Sequence, residues 1–159
     1  MKKSKKIVVI GGGASGLVAA ITAARNGADV IVLEHKEKVG KKILATGNGR
    51  CNFTNEYMEI SCFRGEDVER IDAVLKKFGT KETLHFFDEL GVFPKSRNGY
   101  YYPKSNQAAA ILDVLNMELK RQQVEIVCNS HVTKIEKTKQ FKVLSSTGTY
   151  MADAVILAA

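Results

Sequence analysis

Ile7-Val8-Val9-Ile10-Gly11-Gly12-Gly13-Ala14-Ser15-Gly16 decides how the rest of the chain is read. The four apolar residues form a run short enough for a buried parallel strand. The glycines that follow read G-x-G-x-x-G through Gly11, Gly13 and Gly16. Gly11 permits the tight turn out of the strand, and Gly13 lets main chain approach a pyrophosphate without a Cβ in the way. Gly16 allows a helix to pack close to the sheet. Free N–H groups at that helix start, with the positive end of its dipole, favour phosphate. Ala20 and Ala24 recur one and two turns beyond Gly16 on the same small-residue face, and Gly27 ends the helix. Val30-Ile31-Val32-Leu33 is then a second buried strand, closed by Glu34. A carboxylate there, roughly 20 residues after the glycines, can accept hydrogen bonds from both hydroxyls of an adenosine ribose and repels a 2′-phosphate. Strand, glycines, alanine face and acid agree on a βαβ dinucleotide site, against the plainer reading of glycines that only make turns.

The bulk properties suit one soluble domain. A chain of 159 residues can bury a sizeable core. Its net charge of +7, from 24 basic and 17 acidic residues, is concentrated partly at Lys2, Lys3, Lys5 and Lys6. Such a run is ordinarily a solvated tail, so charge alone does not make this a nucleic-acid binder. Cys51, Cys62 and Cys128 show no C-x-x-C spacing, which fits a reducing cytoplasm without a disulfide framework or a metal site. The lysines, the apolar run and Ala20-Ile21-Thr22-Ala23-Ala24 imitate a signal peptide. Three consecutive glycines weaken the helix such a peptide needs. No other apolar run nears membrane-spanning length, and the expectation is a cytoplasmic protein.

Residues 35–55 form a second informative stretch, expected as a long loop. Within Thr46-Gly47-Asn48-Gly49-Arg50-Cys51-Asn52-Phe53-Thr54-Asn55, the glycines and Asn48 permit positive φ angles. They are expected to expose main-chain N–H groups to phosphate or a flavin edge, and Arg50 can add charge-assisted bonds. A polar loop without a ligand is the alternative. Val68, Ile71, Val74, Leu75 and Phe78 then recur at helical spacing, with Gly79 as the stop. Thr80 is expected to cap a helix bearing Leu84, Phe87 and Leu90, on which His85 reads as structural. Phe93-Pro94-Lys95-Ser96 and Tyr102-Pro103-Lys104-Ser105 flank Asn98-Gly99, a hairpin signal. Its three tyrosines beside Lys95, Arg97 and Lys104 could stack and grip bases, but cross-strand aromatic packing explains them more simply. Ser105 precedes a helix with Ile111, Leu112, Leu115 and Leu119 on one face. Val124 to Cys128 reads as a third parallel strand, then come a three-stranded meander and the apolar run Ala154 to Ala159. The chain stops there without a capping turn, as a piece of something longer would.

This order of elements resembles the FAD domain of the glutathione-reductase-like flavoprotein superfamily. GGGASGLVAA, KKILATGNGRCNFTN and GYYYPKSNQAAAILDVL together resemble the BaiN/YhiN-like family of NAD(P)/FAD-dependent oxidoreductases, across the whole chain. The resemblance implies an α/β fold, a Rossmann-like FAD-binding domain with a parallel sheet and a three-stranded β-meander. Residues 1–159 would be the N-terminal portion of that domain, with 35–105 inserted after the second strand. The substrate domain and the C-terminal return segment would be absent. Carried over, Gly11, Gly13, Ala14, Ser15 and Gly16 would hold the FAD pyrophosphate and Glu34 the adenosine ribose. Lys42 would lie near ribose or phosphates. Gly47, Asn48, Gly49, Arg50, Cys51 and Asn52 would line the flavin side. The main chain of Val132 would meet adenine, and Ala158 would open the turn after the last strand. The implied activity is flavin-mediated hydride transfer with NAD(P)H as donor and a small molecule as substrate; no membrane partner is expected and nucleic acid is disfavoured. No residue stands out as a catalytic acid or base. Cys51, with no second cysteine near in sequence, reads as packing or flavin contact rather than a redox thiol. The competing readings are a flavin-dependent RNA-modifying enzyme and a non-catalytic dinucleotide-binding module.

Overall fold

A computed structural model describes residues 4–159; Lys2 and Lys3 of the basic run lie outside the described residues. The chain divides into two compact units, residues 1–43 with 115–159 and residues 44–114.

The first unit is built on a four-stranded, wholly parallel sheet. Strands β1 (Lys6–Ile10) and β2 (Asp29–Leu33) flank helix α1 (Ala14–Arg25) in sequence and pair in register from Lys6 opposite Asp29 to Ile10 opposite Leu33. Val8 and Val9 are adjacent in sequence and both essentially inaccessible, so β1 is covered on both faces. That is why its sequence is continuously apolar rather than alternating. One face packs against α1 through Leu17, Ala20, Ile21 and Ala24, the two alanines being those expected from the spacing.

The other face meets a meander. Val8, Ile10 and Leu33 pack with Val143 and Ala152, flanked by Phe141, Tyr150 and Val132. Counting α2 (Lys41–Ala45), β3 (Thr54–Asn55), α3 (Val68–Lys77), α4 (Thr80–Glu89), β4 (Pro94–Arg97), β5 (Tyr100–Pro103) and α5 (Ala108–Arg121) in chain order, the later strands are β6 (Glu125–Val127), β7 (Val132–Lys137), β8 (Phe141–Ser145), β9 (Gly148–Ala152) and β10 (Ala154–Leu157). The parallel order is β10-β1-β2-β6, and β7-β8-β9 form the antiparallel meander. The chain thus has the expected Rossmann-type parallel sheet with its β-meander. Glu118 of α5, 6% exposed, ties that helix to α1: its carboxylate accepts from Arg25 Nε at 2.8 Å, Arg121 Nε at 2.7 Å and Gln122 Nε2 at 3.0 Å.

In the second unit, β3, β5 and β4 form a small antiparallel sheet. Asn98 and Gly99, at φ 52° and 81°, make the expected hairpin turn. Three local readings need correction. The stretch 35–55 is not all loop, because α2 and β3 lie within it. Gly79, not Thr80, caps α4: the Glu82 carboxylate accepts its N–H at 2.9 Å, while Thr80 Oγ1 donates to the Asn55 carbonyl. Finally, the run Ala154 to Ala159, expected as a buried strand, forms β10 with none of its residues buried, Leu157 being 71% exposed. Helix α3 forms where its apolar spacing placed it, likewise with no buried residue.

Candidate functional site

The turn between β1 and α1 is a ridge of main chain whose conformation leaves no room for side chains at Gly11, Gly12 or Gly16. Gly11 sits at φ +106°, and a Cβ there would lie 2.6 Å from the Ala158 carbonyl oxygen. A Cβ on Gly16 would overlap the Gly11 carbonyl oxygen itself. Gly16 therefore brings the helix against the turn, a closer partner than the sheet expected from sequence. Gly13 differs from both: a Cβ there would meet nothing within 4 Å. Its freedom from a side chain serves no protein contact, so the space above it is open to a ligand. Gly13 is the N-cap of α1 without any side-chain cap, and the first turn has no acidic residue. The first intrahelical bond runs from Leu17 N–H to the Gly13 carbonyl at 3.0 Å. The amides of Ala14, Ser15 and Gly16 precede it, where an α-helix leaves its donors unused. An anion completes such a terminus.

Glu34 ends β2 and is only 7% exposed. Its Oε2 accepts the Gly12 N–H at 2.6 Å, and its Oε1 accepts the Lys36 N–H at 2.8 Å and lies 3.0 Å from His35 Nδ1. Charge-assisted bonds of this kind fix the carboxylate against the ridge. A carboxylate offers about four acceptor directions, so one on Oε2 remains for a hydroxyl. These residues fit the ADP half of a dinucleotide: donors for two phosphates, an open approach at Gly13, and an oriented acid for a diol.

Sequence reasoning missed three residues that hold this ridge. Gly12, not singled out, is fixed on both sides, with its N–H on Glu34 and its carbonyl accepting the Gly40 N–H at 2.7 Å. A Cβ on Gly12 would lie 2.5 Å from Val39 Cγ1. The signal was the middle glycine of G-G-G, together with Val39-Gly40 ahead of the two lysines. Of the other expected site residues in this unit, Lys42 is exposed on α2. Val132 is half-buried in the meander core, and Ala158 donates its N–H to the Ile10 carbonyl at 2.8 Å beside Gly11.

The second unit holds the Gly47–Asn52 loop. Gly47, Asn48 and Gly49 have φ of 56°, 54° and 78°, the left-handed geometry expected there, and Cys51, at 58°, adopts it as well. The amides of Gly49 and Cys51 are not offered outward, because both donate to the Thr46 carbonyl, at 3.1 and 3.0 Å; the Arg50 amide donates to Gly47. Consecutive tight turns consume their own donors. Arg50 Nε also bonds the Gly47 carbonyl, and its guanidinium carbon stands 5.3 Å from the Tyr102 ring centroid. Asn52 Nδ2 donates to the carbonyls of Thr54 and Tyr101. The Gly49 carbonyl accepts the Ala108 N–H at the start of α5. Cys51 is buried, and that burial pushes its thiol up from the ordinary value. Among the described residues no group of three or more His, Cys, Asp or Glu is placed to hold a metal, and no helix is long and apolar enough to cross a membrane.

Fold and ridge together define a Rossmann-type nucleotide-binding domain. The chain belongs to the HI0933-like family, whose Rossmann domain matches residues 5–159. It is 55% identical over 156 residues to the 3-dehydro-bile acid delta(4,6)-reductase of Clostridium scindens, which covers 96% of this chain and 38% of that protein. It is 27% identical over 130 residues to the ribosomal RNA dihydrouridine synthase of Escherichia coli, covering 82% of this chain and 32% of that one. The chain thus spans about a third of the length of these relatives. Among solved structures, THI4 of Thermovibrio ammonificans superposes with a TM-score of 0.60 at 16% identity, over 98% of this chain and 57% of that one. The bacillithiol disulfide reductase Bdr of Staphylococcus aureus gives 0.53 at 18%, over all of this chain and 39% of that one. These two likenesses show the fold.

Proposed function

We propose that the full-length protein is an FAD-dependent oxidoreductase and that this chain holds the ADP half of its cofactor. The observation that carries the reading is the Gly12–Glu34 bond at 2.6 Å beneath an open Gly13. In this reading the amides of Ala14, Ser15 and Gly16 hold the pyrophosphate, and Glu34 accepts from the ribose hydroxyls. The buried carboxylate excludes a 2′-phosphate by charge. The Val132 main chain and Ala158 border the adenine and the turn. For Lys42 and for Gly47 to Asn52 the support is the family block they belong to. Bound FAD would supply reversible acceptance of a hydride; the chain's own residues orient it and withhold competing charge.

The 55% identity to a 3-dehydro-bile acid delta(4,6)-reductase supports a matching substrate class, an apolar ring system whose ketone is conjugated to C=C bonds. A nicotinamide nucleotide is the proposed reductant. The RNA-modifying alternative is not favoured, since the relatives named for it are 27% and 26% identical. The test is the visible spectrum of the purified full-length protein. Flavin absorption that bleaches on anaerobic addition of NADH or NADPH, and returns with a conjugated enone, supports the reading. A colourless protein that takes up no FAD overturns it.

A further inference from the structure

The hairpin of the second unit separates its side chains by chemistry. Register pairs Lys95 with Tyr102 and Arg97 with Tyr100, and the Lys104 N–H donates to the Phe93 carbonyl to continue the ladder. Directly opposed residues share a face of an antiparallel pair, and every second residue does too. Phe93, Lys95, Arg97, Tyr100, Tyr102 and Lys104 therefore occupy one face, which holds three cations, three rings and no carboxylate. The neighbouring acid, Glu56, is on the other side, where its Oε1 accepts from Ser96 Oγ at 2.8 Å. Cross-strand packing of tyrosine on tyrosine does not occur; each of Tyr100 and Tyr102 faces a cation instead. Phe93 is 69% exposed and Tyr100 48%, and none of the three cations forms an ion pair among the described residues. A fourth cation borders the face, because Arg50 stands over Tyr102. Gly47 comes as close: a Cβ there would lie 3.2 Å from Tyr102 Cε1.

We propose that this face docks the 2′-phosphoadenosine end of NADPH, the reductant, with the rest of the donor running toward the Gly47–Asn52 loop. The inference rests on the proposed flavoenzyme reading, and it names a donor site which that reading leaves open. An adenine can stack on an exposed ring, and a phosphate dianion meets Lys95, Arg97 or Lys104 without a competing acid. The Gly11–Glu34 ridge cannot serve this donor, since its buried carboxylate faces the ribose hydroxyls. The loop proposed for the flavin side adjoins this face through Arg50 and Tyr102, the direction in which the nicotinamide end would extend. A single-stranded nucleic acid is the other occupant with this chemistry. Its length would run past a six-residue face, and the more similar relative is named for a small-molecule reaction.

The full-length, FAD-loaded protein with Arg97→Gln and Lys95→Gln tests this in two ways. Stopped-flow flavin reduction should prefer NADPH over NADH by about tenfold or more. The double substitution should remove that preference by raising the half-saturating NADPH concentration about tenfold, while leaving NADH kinetics and bound FAD unchanged. Calorimetry with 2′,5′-ADP against 5′-AMP reads the site without any flavin chemistry. Binding of the bisphosphate alone, weakened in the variant, supports the site even if no donor reduces the flavin, a failure that counts against the oxidoreductase reading instead. Equal use of NADH and NADPH, unchanged 2′,5′-ADP affinity in the variant, or tight binding of a single-stranded RNA that the double substitution abolishes and 2′,5′-ADP does not compete, overturns the proposal.

Discussion

Gly13→Ala separates a glycine kept for a ligand from glycines kept for the fold. Gly13 has φ −79° and ψ −175°, which alanine adopts without strain, and its Cβ would meet no protein atom within 4 Å. Alanine is a poorer N-cap than glycine by some tenths of a kcal/mol, but it also reduces the entropy of the unfolded chain by about 0.4–1 kcal/mol. The two nearly cancel, so the apo protein should change by no more than about 0.5 kcal/mol. The added methyl group stands where the pyrophosphate is proposed to approach. Lifting the phosphates off the Ala14–Gly16 amides would weaken one or two charge-assisted bonds, each worth about 1.5–3 kcal/mol. FAD affinity should fall roughly 10- to 100-fold or more. Thermal unfolding of the apo protein and flavin fluorescence titration measure the two sides. Destabilisation of the apo protein by more than 2 kcal/mol, or FAD affinity unchanged within about twofold, would refute the reasoning.

Gly16→Ala should do the opposite, destabilising the apo protein by about 3 kcal/mol or more because its Cβ overlaps the Gly11 carbonyl; denaturant unfolding, or loss of soluble expression, reads this. Arg121 holds Glu118 down to about 2, against burial and with help from Arg25 and Gln122. A lowered carboxylate value adds stability that is complete above pH 4.5 and is lost as pH falls toward 2. Solvent around exposed Arg121 screens this interaction, leaving about 1–2 kcal/mol. Glu118→Gln should therefore flatten unfolding free energy between pH 5 and pH 2 by about that amount. Cys62 is exposed and Cys51 buried with a raised thiol, so at neutral pH iodoacetamide should label Cys62 about tenfold faster, as peptide mass mapping would show.

Much of the first unit was legible because its signals are local and redundant. A strand buried on both faces must be apolar throughout, and Ile7–Ile10 and Val30–Leu33 read so; Ala154–Leu157 reads the same and pairs with β1, but its residues are half-buried and Leu157 is exposed. The glycine turn then fixes how they connect. What could not be read was tertiary. Gly12 looked like a spare glycine until Val39 and Gly40 closed over it, contacts 27 and 28 residues away. Gly47, Asn48 and Gly49 were correctly read as left-handed, yet the donors of their loop were thought free; composition shows which φ a residue tolerates, not which carbonyl its N–H reaches. For α3, 3.6-residue spacing gave the helix, but periodicity carries no information on what covers the apolar stripe. The tyrosine hairpin shows the same limit, since only the register reveals that its rings face cations.

A crystal structure of the full-length protein with FAD tests the central claim most directly. The account predicts pyrophosphate oxygens within hydrogen-bond distance of the Ala14, Ser15 or Gly16 amides, and a ribose hydroxyl within about 3 Å of Glu34 Oε2. Cofactor density elsewhere on the protein, or a pyrophosphate bound away from the open face of Gly13, would contradict it.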